Sequence, residues 1–314
     1  MKRIHWMAVF VVGLALALAA LYIGTTWYLE KEAAAEISDL VKNSHIIREF
    51  GYQRLRVSPL DRVITLSDVS SRLAFTEDPV RMDRIRMKTR NETSGSEIHE
   101  IMVTGIHLPA GHSGLREIRP ILTEMGYNAV EGNLECRVSR NSVENRVSLE
   151  KVVFEVIEAG RLEIALDMRG ISAAGLEKAA HSPLAALAEL QHAAVGFARI
   201  VYRDHSLFSR LIEAYARLMN VPPASVTNEM VQKIDQDLQT APTPSIREAL
   251  ETLKQFVIHP EYIQVVSAPP QPVSLRDAFL TALSGGPETW MDLFHVRVTL
   301  SESTGATVYR VPGQ

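Results

Sequence analysis

The chain has 314 residues, 46% hydrophobic and 22% charged, with 33 basic against 37 acidic side chains and a net charge of −4. Charge so balanced, and not gathered into tails, excludes the electrostatic footprint of a nucleic-acid binder. A single cysteine, Cys136, excludes an internal disulfide, which suits a bacterial periplasmic domain better than a eukaryotic extracellular one.

In chain order, the first element is the run Trp6 to Tyr28, which holds no charged residue. As a helix it spans about 33 Å, enough for a hydrocarbon core of roughly 30 Å. Trp6, Tyr22, Trp27 and Tyr28 match an aromatic belt, and Lys2 and Arg3 precede the run. The positive-inside bias places residues 1–5 in the cytoplasm and the rest outside. The expectation is a transmembrane signal-anchor over residues 6–28, making a single-pass protein of the bacterial inner membrane with a periplasmic C-terminal domain. The rival is a cleaved signal peptide, whose cleavage site Ala15, Ala17 and Ala19 would mimic. Ala33, Ala34, Ile37, Leu40 and Val41 keep helical spacing, so residues 29–53 are expected as a helical stalk.

Residues 54–172 read mainly as strand. The cleanest alternation sets Leu162, Ile164, Leu166 and Met168 against Arg161, Glu163, Asp167 and Arg169, one buried face and one solvated. Upstream, Arg146 to Ile157 pairs with it as an antiparallel hairpin through Glu158-Ala159-Gly160, with Gly160 supplying a positive φ. Val147, Leu149 and Val153 are expected to join the apolar face. Leu134, Cys136 and Val138 give a further strand, and Val63–Val69, Met82–Arg90 and Glu97–Leu108 three more. A short helix around Leu115 to Met125, limited by Pro120, ends at Gly126.

Beyond Ser172 the period turns helical. Apolar stripes run from Leu207 to Met219, Val226 to Leu238 and Ile246 to Val257, with Thr227 and either Thr243 or Ser245 as N-caps. Ser274 with Asp277 opens a last helix, ended by Gly285-Gly286. Val195–Tyr202, Tyr262–Ser267 and His295–Leu300 are strand-like. The expected fold class is α+β: an N-terminal transmembrane helix, an antiparallel sheet region (54–172), then a helix-rich α+β region (173–314) that returns strands to the sheet.

No catalytic constellation stands out. Asp204, His205 and Ser206 are adjacent, so their side chains diverge and cannot relay a proton in line. His99, His107 and His112 match no metal spacing; on one regular strand His99 and His107 would share a face roughly 26 Å apart. Gly105, Gly111 and Gly114 lack the lysine of a phosphate loop. Cys136, in phase with Leu134 and Val138, reads as an inert buried thiol. No metal, cofactor or nucleic acid is called for. Arg84, Arg86, Lys88 and Arg90 recur at period two, so a strand puts all four on one face, either as a solvated edge or facing anionic headgroups or an acidic partner.

The anchor, the hairpin Arg146-Val-Ser-Leu-Glu-Lys-Val-Val-Phe-Glu-Val-Ile157 and Val63-Ile-Thr-Leu-Ser-Asp-Val69 resemble AsmA-like and related bacterial inner-membrane proteins. The resemblance covers residues 1–172 and rests on general pattern. It implies a curved sheet whose apolar inner face binds or conducts lipid, and it carries over no catalytic residues; the helical C-terminal half departs from it. The expected function is a non-enzymatic envelope protein that binds lipid on Leu162, Ile164, Leu166 and Met168 or scaffolds other envelope proteins. Its partners would be membrane lipids, through the anchor, and those proteins. The alternative is a membrane-tethered periplasmic hydrolase.

Overall fold

The structure, a computed structural model, describes residues 25–301 apart from 27, 40, 43, 45, 93–94, 173–174, 176–190 and 285–286. Its strands are β1 (Ile47–Gly51), β2 (Arg54–Ser58), β3 (Val63–Leu73), β4 (Val80–Glu92), β5 (Ser96–Pro109), β6 (Ala129–Asn141), β7 (Arg146–Val156), β8 (Gly160–Arg169), β9 (Ala194–Asp204), β10 (Tyr262–Ser267), β11 (Val273–Ser274) and β12 (Val296–Thr299). All belong to one antiparallel sheet in the order β1-β3-β4-β5-β6-β7-β8-β9-β10-β12. Strand β2 lies in line with β1 along β3, and β11 in line with β10 along β9.

Helices accompany this sheet. They are α1 (28–39), α2 (Arg119–Glu124), α3 (Leu207–Met219), α4 (Pro223–Thr240), α5 (Pro244–Ile258), α6 (Leu275–Ser284) and α7 (Pro287–Leu293). Thr243 caps α5, accepting from the Ile246 N–H at 3.3 Å, and Ser274 accepts from the Asp277 N–H at 3.0 Å. Thr227 is no cap: α4 begins at Pro223, one turn earlier, because proline fits the first helical positions, where no N–H is needed. The predicted glycine stop at 285–286 lies outside the described residues.

Two parts of the expected fold class are corrected. A sheet region followed by a helix-rich region is not what forms. One large antiparallel sheet dominates, with 42% of the chain in strands; the expected returning strands, β9, β10 and β12, are full members of it and continue the meander that β3 to β8 begin. Antiparallel pairing is non-local, so the helices of residues 207–258 are an excursion between β9 and its neighbour β10, which pair over six positions. In addition, no helix among the described residues is long and apolar enough to cross a membrane. The described helices therefore do not supply the expected transmembrane helix, nor the membrane, signal-anchor and single-pass assignments that depend on it. The run 6–28 on which they rested falls outside the described residues except for 25, 26 and 28. Hydropathy, the aromatic residues at its ends and the flanking charges carry that reading, and all three are properties of sequence without packing. The stalk also differs: after α1 the chain turns into β1.

At the β7–β8 turn the positive φ belongs to Glu158 (φ 62), not to Gly160. Glycine is needed at 160 for a different reason: a Cβ there would stand 2.8 Å from the Arg203 carbonyl oxygen on β9. A side chain at Gly132 would likewise overlap the carbonyl oxygen of Glu155 on β7.

The start of α3 carries a pH prediction. Tyr202 donates to Asp204 Oδ1 at 2.5 Å, and the same oxygen accepts from the Phe208 N–H at 2.9 Å. Burial first, then this carboxylate, pushes the Tyr202 phenol well above its usual range. The unfolded phenol ionises at about pH 10 while the folded one stays protonated. Stability from this group is therefore complete below about pH 10 and is lost as pH rises beyond it. Urea denaturation across that range is expected to show a falling midpoint in the wild type and a flatter profile in Tyr202→Phe.

Candidate functional site

Side chains alternate along a strand, so residues paired across strands share a face. The register builds a cross-strand row Ile101–Cys136–Val152–Ile164–Ile200, from β5 to β9. Met87 extends it on β4 and Val265 on β10. A parallel row runs Val103–Leu134–Phe154–Leu162–Tyr202. Together these form the apolar face. The reverse face carries Arg86, Met102, Glu135, Val153, Glu163 and Val201 in one row. On it the buried Val153 and Val201 stand beside the Lys151–Glu135 pair, at 2.8 Å, and the Arg199–Glu163 pair.

Register breaks keep the apolar face continuous where the sequence falls out of phase. Opposite Arg137 and Val138, β7 carries an extra residue, which moves its apolar set from Val147 and Leu149 to Val152 and Phe154. Val153, expected on this face, therefore points to the other. Gly105 (φ 66) marks a similar break in β5 between Val103 and Ile106. His99 then pairs with Val138 on the apolar face, while His107 pairs with Glu131 on the charged one, 3.1 Å from its carboxylate. The two histidines do not share a face.

The apolar face is covered at its ends. At one, α2 and α3 bring Leu122, Met125 and Ala214 against Val130, Val156 and Ala159, and Phe256 of α5 packs edge-on to Tyr202 and Phe208, with ring centroids 6.2 and 5.4 Å apart. At the other, Ala278 and Phe294 close over Val195, Leu166, Met168 and Ala198. Between these caps the face is open: Ile101 is 38% exposed, Phe154 37% and Ile200 45%. Of the four residues singled out from the sequence, all lie on this face, but Leu166 and Met168 are under a helical cap while Leu162 and Ile164 border the open strip. Ile101, Phe154 and Ile200 were missed as site residues, since each strand's alternation shows a face and never its neighbours. Cys136 lies half-buried in the strip, where burial pushes its thiol up.

Arg84, Arg86, Lys88 and Arg90 share the charged face, opposite Thr104, Met102, Glu100 and Ile98. Asp204, His205 and Ser206 diverge: Asp204 binds Tyr202 and Phe208, Ser206 donates to the Glu158 carbonyl, and His205 is exposed. His112 is buried, its Nδ1 accepting from the Gly114 N–H at 3.1 Å. Among the described residues no group of three or more His, Cys, Asp or Glu side chains is placed to hold a metal ion.

A family model described only as "Uncharacterized protein" matches residues 153–301, which run from β7 through the helices to the end of the described chain. No curated protein matches the chain, and neither finding bears on the resemblance to AsmA-like proteins.

Proposed function

We propose that this protein is a non-enzymatic lipid-binding protein that holds an acyl chain along the open strip of its apolar face. The observation that carries the reading is the exposure of Ile101, Phe154 and Ile200 in the middle of a face that helices cover at both ends. A monomer that left this strip to water would forfeit the transfer energy of several aliphatic groups. The row from β5 to β9 crosses four strand spacings, roughly 19 Å, the scale of an extended long-chain acyl group. Each methylene that settles there gains about 0.8 kcal/mol. Arg140, half-buried on the same face beside His99 and Val138, supplies a cation toward one end of the strip.

The test uses Cys136, which lies between Ile101 and Val152 in the row. A long-chain fatty acid is expected to slow its alkylation by N-ethylmaleimide at alkaline pH, and mass spectrometry of protein purified in mild detergent is expected to show retained lipid. An alkylation rate indifferent to fatty acid, with no lipid retained, would sink the reading.

A further inference from the structure

The alternation along β4 marks out four cations, but the register places two more beside them. Arg54 and Arg56 of β2 pair with Ser67 and Thr65 of β3, and these pair with Arg84 and Arg86 of β4. Ser58 and Val63 lead in the same way to Lys88. Two columns of cations thus stand on one face about 10 Å apart, two strand spacings, with a floor of Val63 and small hydroxyl side chains between them. All of these cations are exposed except the half-buried Lys88.

Charge on this face is unbalanced. The nearest acidic group in the register, Glu100, is shared by Arg90 and Arg137 at 3.9 Å each. Among the described residues no acidic side chain pairs with Arg54, Arg56, Arg84, Arg86 or Lys88. Like charges set side by side on a sheet repel, so the array is stabilised by whatever anions lie over it. Next to it the β2–β3 turn holds out Leu60, 84% exposed.

We infer that this face of β2–β4 docks on a surface of anionic lipid headgroups. The cations are spread over a sheet face and do not converge on one point, which fits many separate phosphates better than one small anion. The floor is Ser67, Thr65 and the buried Val63, without the aromatic platform that single-stranded nucleic acid requires or the exposed apolar centre of a protein interface. Cations lying over phosphates, with one leucine beside them at the depth of the acyl boundary, form a peripheral lipid-surface contact. This contact is separate from acyl binding, since it uses the opposite face of the sheet.

The test reads the patch itself, so that the apolar N-terminal sequence does not decide the result. Full-length protein carrying Cys136→Ser and Ser58→Cys, with a polarity-sensitive dye on residue 58, is titrated with vesicles of phosphatidylcholine alone or mixed equally with phosphatidylglycerol. The dye is expected to respond to the anionic vesicles only, and the response to vanish at high salt. Each cation removed is worth about fivefold in half-saturating lipid, so Arg54→Gln/Arg56→Gln is expected to cost about thirty-fold. Lys233→Gln/Arg247→Gln, on distant helices, is expected to cost nothing. Equal responses to both vesicle types, no response to either, or equal losses from the two double variants would each overturn the inference. Ile200→Asp is expected to keep the vesicle response, so failure of acyl binding would show separately.

Discussion

Leu166→Asp is expected to unfold the protein, while Ile200→Asp leaves it folded and without acyl binding. The two residues lie on the same face of neighbouring strands, in adjacent rows of side chains, and differ in what stands over them. Leu166 packs under Ala278 and Phe294 in the cluster closed by α6 and α7. Leu166 is partly buried against that apolar cluster, so a carboxylate there is set among hydrocarbon side chains, and the change also removes the packing of a leucine. The combined cost is about 4 kcal/mol or more, against a total stability of about 5–15 kcal/mol. At Ile200, 45% exposed, a carboxylate stays hydrated and the change in stability is expected within about 1 kcal/mol. Its charge in the middle of the strip would still repel a methylene chain. Urea denaturation and the Cys136 protection assay read the two effects independently. Should Ile200→Asp unfold as Leu166→Asp does, the strip is ordinary core and the lipid reading falls.

A second large effect is expected at Arg146. Its Nε donates to Asp167 Oδ1 at 2.6 Å, and the two side chains are only 18% and 12% exposed. They sit on the charged face, one register position apart, where Ser148 pairs with Asp167. Arg146→Leu leaves the Asp167 carboxylate buried and uncompensated, at an expected cost of about 3–5 kcal/mol. Removing both charges, in Arg146→Leu/Asp167→Leu, is expected to recover most of that loss, because an apolar pair needs no desolvation of charge. A double-mutant cycle in urea gives the coupling directly. Additive single-variant costs would mean that the pair is solvated and contributes little.

The strands that alternate cleanly were legible in the sequence because period two is a local property: β8 shows it at Leu162, Ile164, Leu166 and Met168, and β4 in its basic residues. Legibility ended where a strand changes phase. In β7 the apolar set passes from Leu149 to Val152, and only the pairing with β6 and β8 shows that a bulge has absorbed the slip. In β5, Gly105 does the same and separates His99 from His107. The short β1, β2 and β11 lack an alternation long enough to read and owe their place to partners on β3 and β9. At the N-terminus, hydropathy supported a membrane anchor for which no described helix stands.

By itself the sequence determined the strand faces of β4 and β8, the helical stripes, the cap at Ser274, and the divergence of Asp204, His205 and Ser206, and it narrowed the cap of α5 to Thr243 or Ser245. All of these follow from spacing along one stretch of backbone. Only the tertiary structure decided the order in which the returning strands β9, β10 and β12 join the sheet, that Arg54 and Arg56 stand beside Arg84 and Arg86, and that Leu166 is capped while Ile200 is open. Those facts depend on which strand lies next to which and on where a helix stops covering a face. Both are set by non-local pairing and packing, whose free energy belongs to the whole sheet and leaves no periodic mark in any one segment.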